Sequence, residues 1–176
     1  MVFGRLQNYF RPASPPSPPP SVDSLTVPSD AQGLQTALDW LEQTYSPWLE
    51  PDDLWKIKLV VSEWLTNILL YAHRHLPPTT PIQLHGQRFG NRFEDGLSCL
   101  QIEVWDYGPP FDLTAQLQTK VKQIEQEMEH HNLDNLAEGG RGLFYIQTLT
   151  DKLHYFRTTA EPPQNCLQVQ KKVRVR

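Results

Sequence analysis

The stretch that most limits the possible folds runs from Leu59 to Ala72. It is apolar on nearly every side and is interrupted by Glu63 and Asn67. It belongs to a long helix that opens at Pro51, where a missing backbone donor is harmless, with Asp52 and Asp53 in the first turn. The helix is predicted to run to about His73 and to stop before Pro77-Pro78. A helix that is apolar all round is a buried one, so the rest of the chain has to cover it.

The remaining segments supply that cover. Leu25-Thr26-Val27 reads as a short strand. A helix from about Asp30 to Thr44 follows, with Ser29 and Gln32 at capping-box spacing and Leu34, Ala37, Leu38 and Leu41 as its buried stripe. Two strands, about Ile82–Phe89 and Ser98–Trp105, flank a polar turn containing Gly90, Asn91, Asp95 and Gly96. Residues 113–138 are long for a connection. Leu113, Leu117, Val121, Ile124 and Met128 recur there at helical spacing, so part of the segment is predicted helical. A third core helix spans about Gly142–Thr150. The chain then forms a hairpin, Lys152–Thr158 and Leu167–Val175, around Glu161-Pro162-Pro163-Gln164-Asn165. The order strand, helix, helix, two strands, helix, two strands predicts an α+β sandwich with a largely antiparallel sheet.

Composition matters at one point. The chain has 176 residues, 39% of them apolar, and 16 prolines. The run Pro12 to Pro20 contains only Pro, Ser and Ala, and without it the body has ordinary composition. Residues 1–22 therefore read as a disordered or polyproline-type leader, and 23–176 as one domain. A net charge of -4 argues against a nucleic-acid or membrane-surface footprint. No apolar run is long enough to span a bilayer, and Met1 to Phe10 lacks the apolar core of a signal peptide. Cys99 and Cys166 each begin a strand-like run, which fits buried free thiols in a reducing compartment. A cytoplasmic protein is expected.

Three segments carry chemistry. Glu63 and Asn67, four residues apart, project from one face of the long helix. They are either an ordinary helical pair or a carboxylate facing a polar cavity with an amide oxygen suited to magnesium. Asp106 continues the parity of Leu100, Ile102 and Val104 and so points to the core side where the strand ends, at Gly108. There it either caps the Tyr107-Gly108-Pro109-Pro110 bend or accepts from a ligand such as the exocyclic amine of adenine. Glu138-Gly139-Gly140-Arg141-Gly142-Leu143 leads straight into a helix. Such a turn either packs closely against the sheet or presents backbone donors and a cation to an anion. No Walker A sequence occurs in the chain.

In this order the segments resemble the N, G1 and G2 boxes of the gyrase, chaperone and histidine-kinase type (GHKL) ATPases, which share the Bergerat fold. That fold is a two-layer α/β sandwich, its mainly antiparallel sheet carrying helices on one face. Gly-Gly-Arg-Gly-Leu-Phe-Tyr-Ile at 139–146 is similar to the short anti-sigma-factor serine/threonine kinases, the switch-protein kinases, and Phe111-Asp112 and the closing hairpin fit them too. The resemblance implies ATP and Mg2+ as cofactors, Glu63 as catalytic residue and Asn67 as the metal-binding asparagine. It implies Asp106 and Gly108 at the adenine, and Gly139, Gly140, Arg141, Gly142 and Leu143 at the phosphates, with 113–138 as a mobile lid. It also implies phosphoryl transfer to a Ser or Thr of an anti-anti-sigma (STAS-like) partner, a sigma factor or other effector as the competing partner, and a homodimer. A nucleotide-gated binding module without phosphotransfer is the alternative. The sequence departs from the pattern at Tyr71, where the N box usually has histidine, at the bulkier Trp64 and Ile68, and at Pro109-Pro110.

Overall fold

Side-chain alternation along the strands decides which face of the sheet the helices cover. A computed structural model describes residues 22–89, 97–119 and 141–176. The described strands are β1 (Val22–Pro28), β2 (Pro81–Phe89), β3 (Ser98–Asp106), β4 (Lys152–Arg157) and β5 (Asn165–Val173). The helices are α1 (Ala31–Tyr45), α2 (Pro51–Asn67), a π-helical turn (Ile68–Ala72) that continues α2, and α3 (Arg141–Leu149). Residues 113–119 are also helical. Residues 1–21 of the predicted leader, the polar turn at 90–96 and the greater part of 113–138 lie outside the described residues, while Val22, expected in the leader, is the first residue of β1.

The strands form one sheet in the order β1-β2-β3-β5-β4, with every pairing antiparallel. This is the α+β architecture that the sequence predicts. Val27, Ile82, Leu84, Leu100, Ile102, Val104, Leu167 and Val169 face the helices and form the core with Ala37, Leu41, Ile57, Val61, Leu65, Ile68 and Ile146. The opposite face is polar. There Glu103 accepts from Gln101 (2.9 Å), Gln168 (2.8 Å) and the Trp105 indole (3.1 Å).

Three local readings are corrected. The N-cap of α1 is Asp30, whose side chain accepts from the Gly33 N–H at 2.7 Å. Ser29, expected to cap, instead hydrogen-bonds His73 Nδ1 at 2.8 Å. The buried stripe of α1 extends to Tyr45, which is fully buried and donates to Asp23. Third, β5 begins at Asn165, a residue expected in the turn, because Asn165 is paired in register with Asp106 of β3 and Arg157 of β4. Cys99 and Cys166 are free thiols, and burial pushes both up from the ordinary thiol range.

Candidate active site

The end of β3 is the best-defined part of the site. Strand alternation turns Asp106 inward, and only 1% of it is exposed. A carboxylate there needs donors. Its Oδ1 accepts from the Gly108 N–H at 2.6 Å and from Asn165 Nδ2 at 2.9 Å. Both of these bonds fall on Oδ1, and among the described residues none donates to Oδ2. Burial raises the carboxyl above its usual range, opposed by the bonds from Asn165 and Gly108 and by the charge of Arg157.

The π-helical turn brings in a residue that sequence reasoning missed. A regular α-helix through 68–73 would pair the His73 N–H with residue 69, whereas it bonds Ile68 O at 2.7 Å, one residue further back. This extra residue leaves Tyr71 67% exposed and turns His73 into the core. His73 Nε2 accepts from the Tyr107 N–H at 3.1 Å, so that nitrogen carries no proton and Nδ1–H donates to Ser29 Oγ. The ring is therefore neutral, in line with burial lowering its pKa against the pull of Asp106, 3.7 Å away. Tyr71, expected at the N-box histidine position, is exposed, and His73 two residues on is the histidine beside Asp106.

Glu63 and Asn67 lie one turn apart on α2 and are half-buried. The start of α3 approaches Glu63 closely: a Cβ on Gly142 would lie 2.5 Å from Glu63 Oε2. At the other end, a Cβ on Gly108 would lie 2.6 Å from the Ala72 Cβ. The contact at Gly108 leaves room for hydrogen only, so glycine there lets the loop close on the π turn, whereas a side chain at 142 would have to displace the Glu63 carboxylate. Leu143 is buried behind Gly142. Arg141 opens α3, while Gly139 and Gly140 lie outside the described residues. The structure thus joins Glu63 to Gly142 and Asp106 to Gly108, with Asn67 on the helix between them.

Beyond Gly108 the chain borders a cleft of about 540 Å³ whose walls include Phe111, Leu117, Leu153 and Tyr155. Glu63, Asn67 and Asp106 are not among its walls. The Trp64 ring meets Phe111 and Tyr155 edge-on, with centroids 6.3 and 5.9 Å away. Among the described residues, no cluster of three or more His, Cys, Asp or Glu could hold a metal, and no helix is long and apolar enough to cross a membrane.

A five-stranded antiparallel sheet with helices on one face, an inward aspartate at the end of β3 and a carboxylate of α2 met by the start of α3 define a domain of the histidine-kinase-like class. The family model described as "Histidine kinase-like ATPase domain" matches residues 27–171, and the chain belongs to that family. It is similar to the serine-protein kinase RsbW of Bacillus licheniformis, 37% identical over 103 residues that make up 58% of this chain and 57% of that protein. The RsbW of Staphylococcus epidermidis is 31% identical over 106 residues, 60% of each chain. These matches span less than two thirds of the curated relatives. A chain in the crystal structure of the SiaB–SiaC complex from Pseudomonas aeruginosa shares the fold, with a TM-score of 0.50 over 85% of this chain and 89% of that one at 12% identity.

Proposed function

We propose that this chain is an ATP-dependent serine/threonine-protein kinase that acts as an anti-sigma-type regulator. The observation that carries the reading is Asp106, buried at the end of β3 with Oδ1 held by the fold and Oδ2 left for the exocyclic amine of adenine. The names of the relatives, serine-protein kinases, support the chemistry. In this reading Gly108 lies beside the base. Gly139, Gly140, Gly142 and Leu143 present backbone donors to the phosphates at the start of α3, and Arg141 adds a positive charge. Asn67 offers a hard amide oxygen to Mg2+, an ion that takes few protein ligands and binds with the phosphates. When bound, that ion offsets phosphate charge. Glu63 accepts or orients the proton of the attacking hydroxyl while the γ-phosphoryl group passes to the acceptor oxygen and ADP leaves.

The acceptor is a Ser or Thr of an anti-anti-sigma (STAS-like) partner, with a sigma factor or other effector competing for the kinase. The added phosphate charge on the partner's surface breaks its docking. The domain takes in 23–176 together with Val22, the first residue of β1, with the Pro-rich leader outside it, and the protein works in the cytoplasm as a homodimer. The test is incubation of the full chain and its candidate partner with labelled Mg-ATP. Glu63→Gln is expected to bind ATP normally and to lose transfer by a factor of about a hundred or more. Undiminished transfer in that variant would sink the role of Glu63. ATP binding with no transfer by the wild type would leave a nucleotide-gated binding module.

A further inference from the structure

Asp106 is not held by its own loop alone. Asn165 opens β5 directly opposite it, and 1% of Asn165 is exposed. Its Nδ2 donates to Asp106 Oδ1 at 2.9 Å, to Gly108 O at 3.1 Å and to Pro109 O at 3.2 Å. Its Oδ1 accepts from Arg157 Nη1, which also donates to Gly108 O at 2.8 Å. Guanidinium has no acceptor, so the amide oxygen must face Arg157 and the amide nitrogen must face the carboxylate. A chain of directed bonds therefore runs from β4 through β5 to β3 and the loop after it.

We propose that Asn165 and Arg157 are specificity-determining positioning residues, which keep Asp106 an acceptor and so select a 6-aminopurine over a 6-oxopurine nucleotide. This rests on the reading of Asp106 as the residue that meets the base. An ionised Asp106 accepts from a 6-amino group and repels a 6-oxo group. A protonated Asp106 could donate to the 6-oxo group and would lose that discrimination. Asn165 contributes only donors to Oδ1 and so favours the ionised form against the burial that opposes it. The other groups whose charge or proton bears on this carboxylate are His73 from the π turn, Arg157 and Tyr155 from β4, and Cys166 from β5. Of these, His73 is neutral, and burial pushes Tyr155 up to about 12 and raises Cys166 as well, so the Arg157–Asn165 pair, with the Gly108 N–H, supplies the steady bias toward the anion.

The experiment measures dissociation constants of Mg-ATP and Mg-inosine triphosphate by calorimetry on the full chain, from pH 6 to 8. Wild type is expected to prefer ATP with a ratio that changes little over that range. Asn165→Leu, close in size but without donors, is expected to lower the ratio by about tenfold and to make it fall further at the acid end. Asn165→Thr keeps one hydroxyl donor and recovers part of the preference. Arg157→Met lowers the ratio less, and Arg157→Lys leaves it near wild type. A purely structural role would lower the melting temperature and leave the ratio alone. A folded Asn165→Leu with the wild-type ratio overturns the clamp while the base-contact reading survives. If Asn165→Leu does not fold, an unchanged ratio in both Asn165→Thr and Arg157→Met overturns it. A wild type that binds the two nucleotides equally, or neither, overturns the base-contact reading and the clamp together.

Discussion

At residue scale, the two buried titratable groups at the end of β3 respond to pH in opposite senses. The Asp106 carboxyl is raised, chiefly by burial. A raised acid binds its proton more tightly folded than unfolded, so its stabilising share is present below the unfolded pKa and is lost as pH rises through the folded one. Ionised Asp106 therefore costs stability at neutral pH. An asparagine can still accept from Gly108 and Asn165 through its carbonyl oxygen. Asp106→Asn is expected to melt higher than wild type at pH 7 and to lose that advantage in acid, while its ATP affinity falls at least about tenfold. A lower melting temperature at pH 7 would mean that the carboxylate is better paired than the geometry shows. His73 runs the other way. Burial holds its pKa below the usual histidine value, so its contribution is complete above that value and is lost as pH falls below it. Melting scans from pH 7.5 to 5.5 should show stability declining, with most of the slope gone in His73→Gln. Asp106 was legible in the sequence, since parity along β3 is local information. Asn165 was not: its partner lies 59 positions away and meets it only through the β3–β5 pairing.

At the scale of elements, α2 and its π turn make the clearest case. The apolar run marked a buried helix, and Pro51 marked its start, because both signals are contained in the segment. The π turn has no such signal. No glycine or proline lies within Ile68–Ala72, and the extra residue shows only in a backbone bond that skips one position. A π turn of this kind amounts to one residue inserted in an α-helix. Deleting Leu70, which is 56% exposed, should let the His73 N–H bond the same Ile68 carbonyl, now four residues back. The ΔLeu70 protein is then expected to fold, to keep the pH slope that depends on His73, and to bind ATP within a few fold of wild type. Keeping every residue but forcing a continuous α-helix would instead rotate His73 by about 100° away from Asp106. A ΔLeu70 protein that folds but has lost the His73 slope would show that the bulge does more than count residues. The same limit explains the misplaced cap of α1. Ser29 and Gln32 have the right spacing, but Ser29 is drawn to His73, 44 residues on, and Asp30 caps in its place.

At the scale of the molecule, the site is a product of the completed sheet. Glu63 and Asn67 come from α2, Asp106 and Gly108 from β3 and its loop, Arg157 and Asn165 from β4 and β5, and Gly142 from α3. Asp106, Asn165 and Arg157 adjoin only because β5 lies between β3 and β4, an order that sequence neighbours alone do not produce. A ligand that draws on residues from all of these elements binds the folded state and not the unfolded one. Linkage then stabilises the whole domain by about 2.7 kcal/mol at a ligand concentration near a hundred times the dissociation constant. For a domain of this size that corresponds to a melting shift of roughly 5–10 °C. Calorimetric scans with saturating Mg-ATP are expected to show one transition moved up by that amount, and a clearly smaller shift at the same concentration for Asp106→Asn. The outcome also separates two pictures of the site. If hydrogen exchange with Mg-ATP gains protection only around Gly108 and the start of α3, with no shift in melting, the nucleotide is held by the loops alone. If protection also rises along β3, β5 and α2, the bond chain from Arg157 through Asn165 to Asp106 ties nucleotide binding to the stability of the sheet itself.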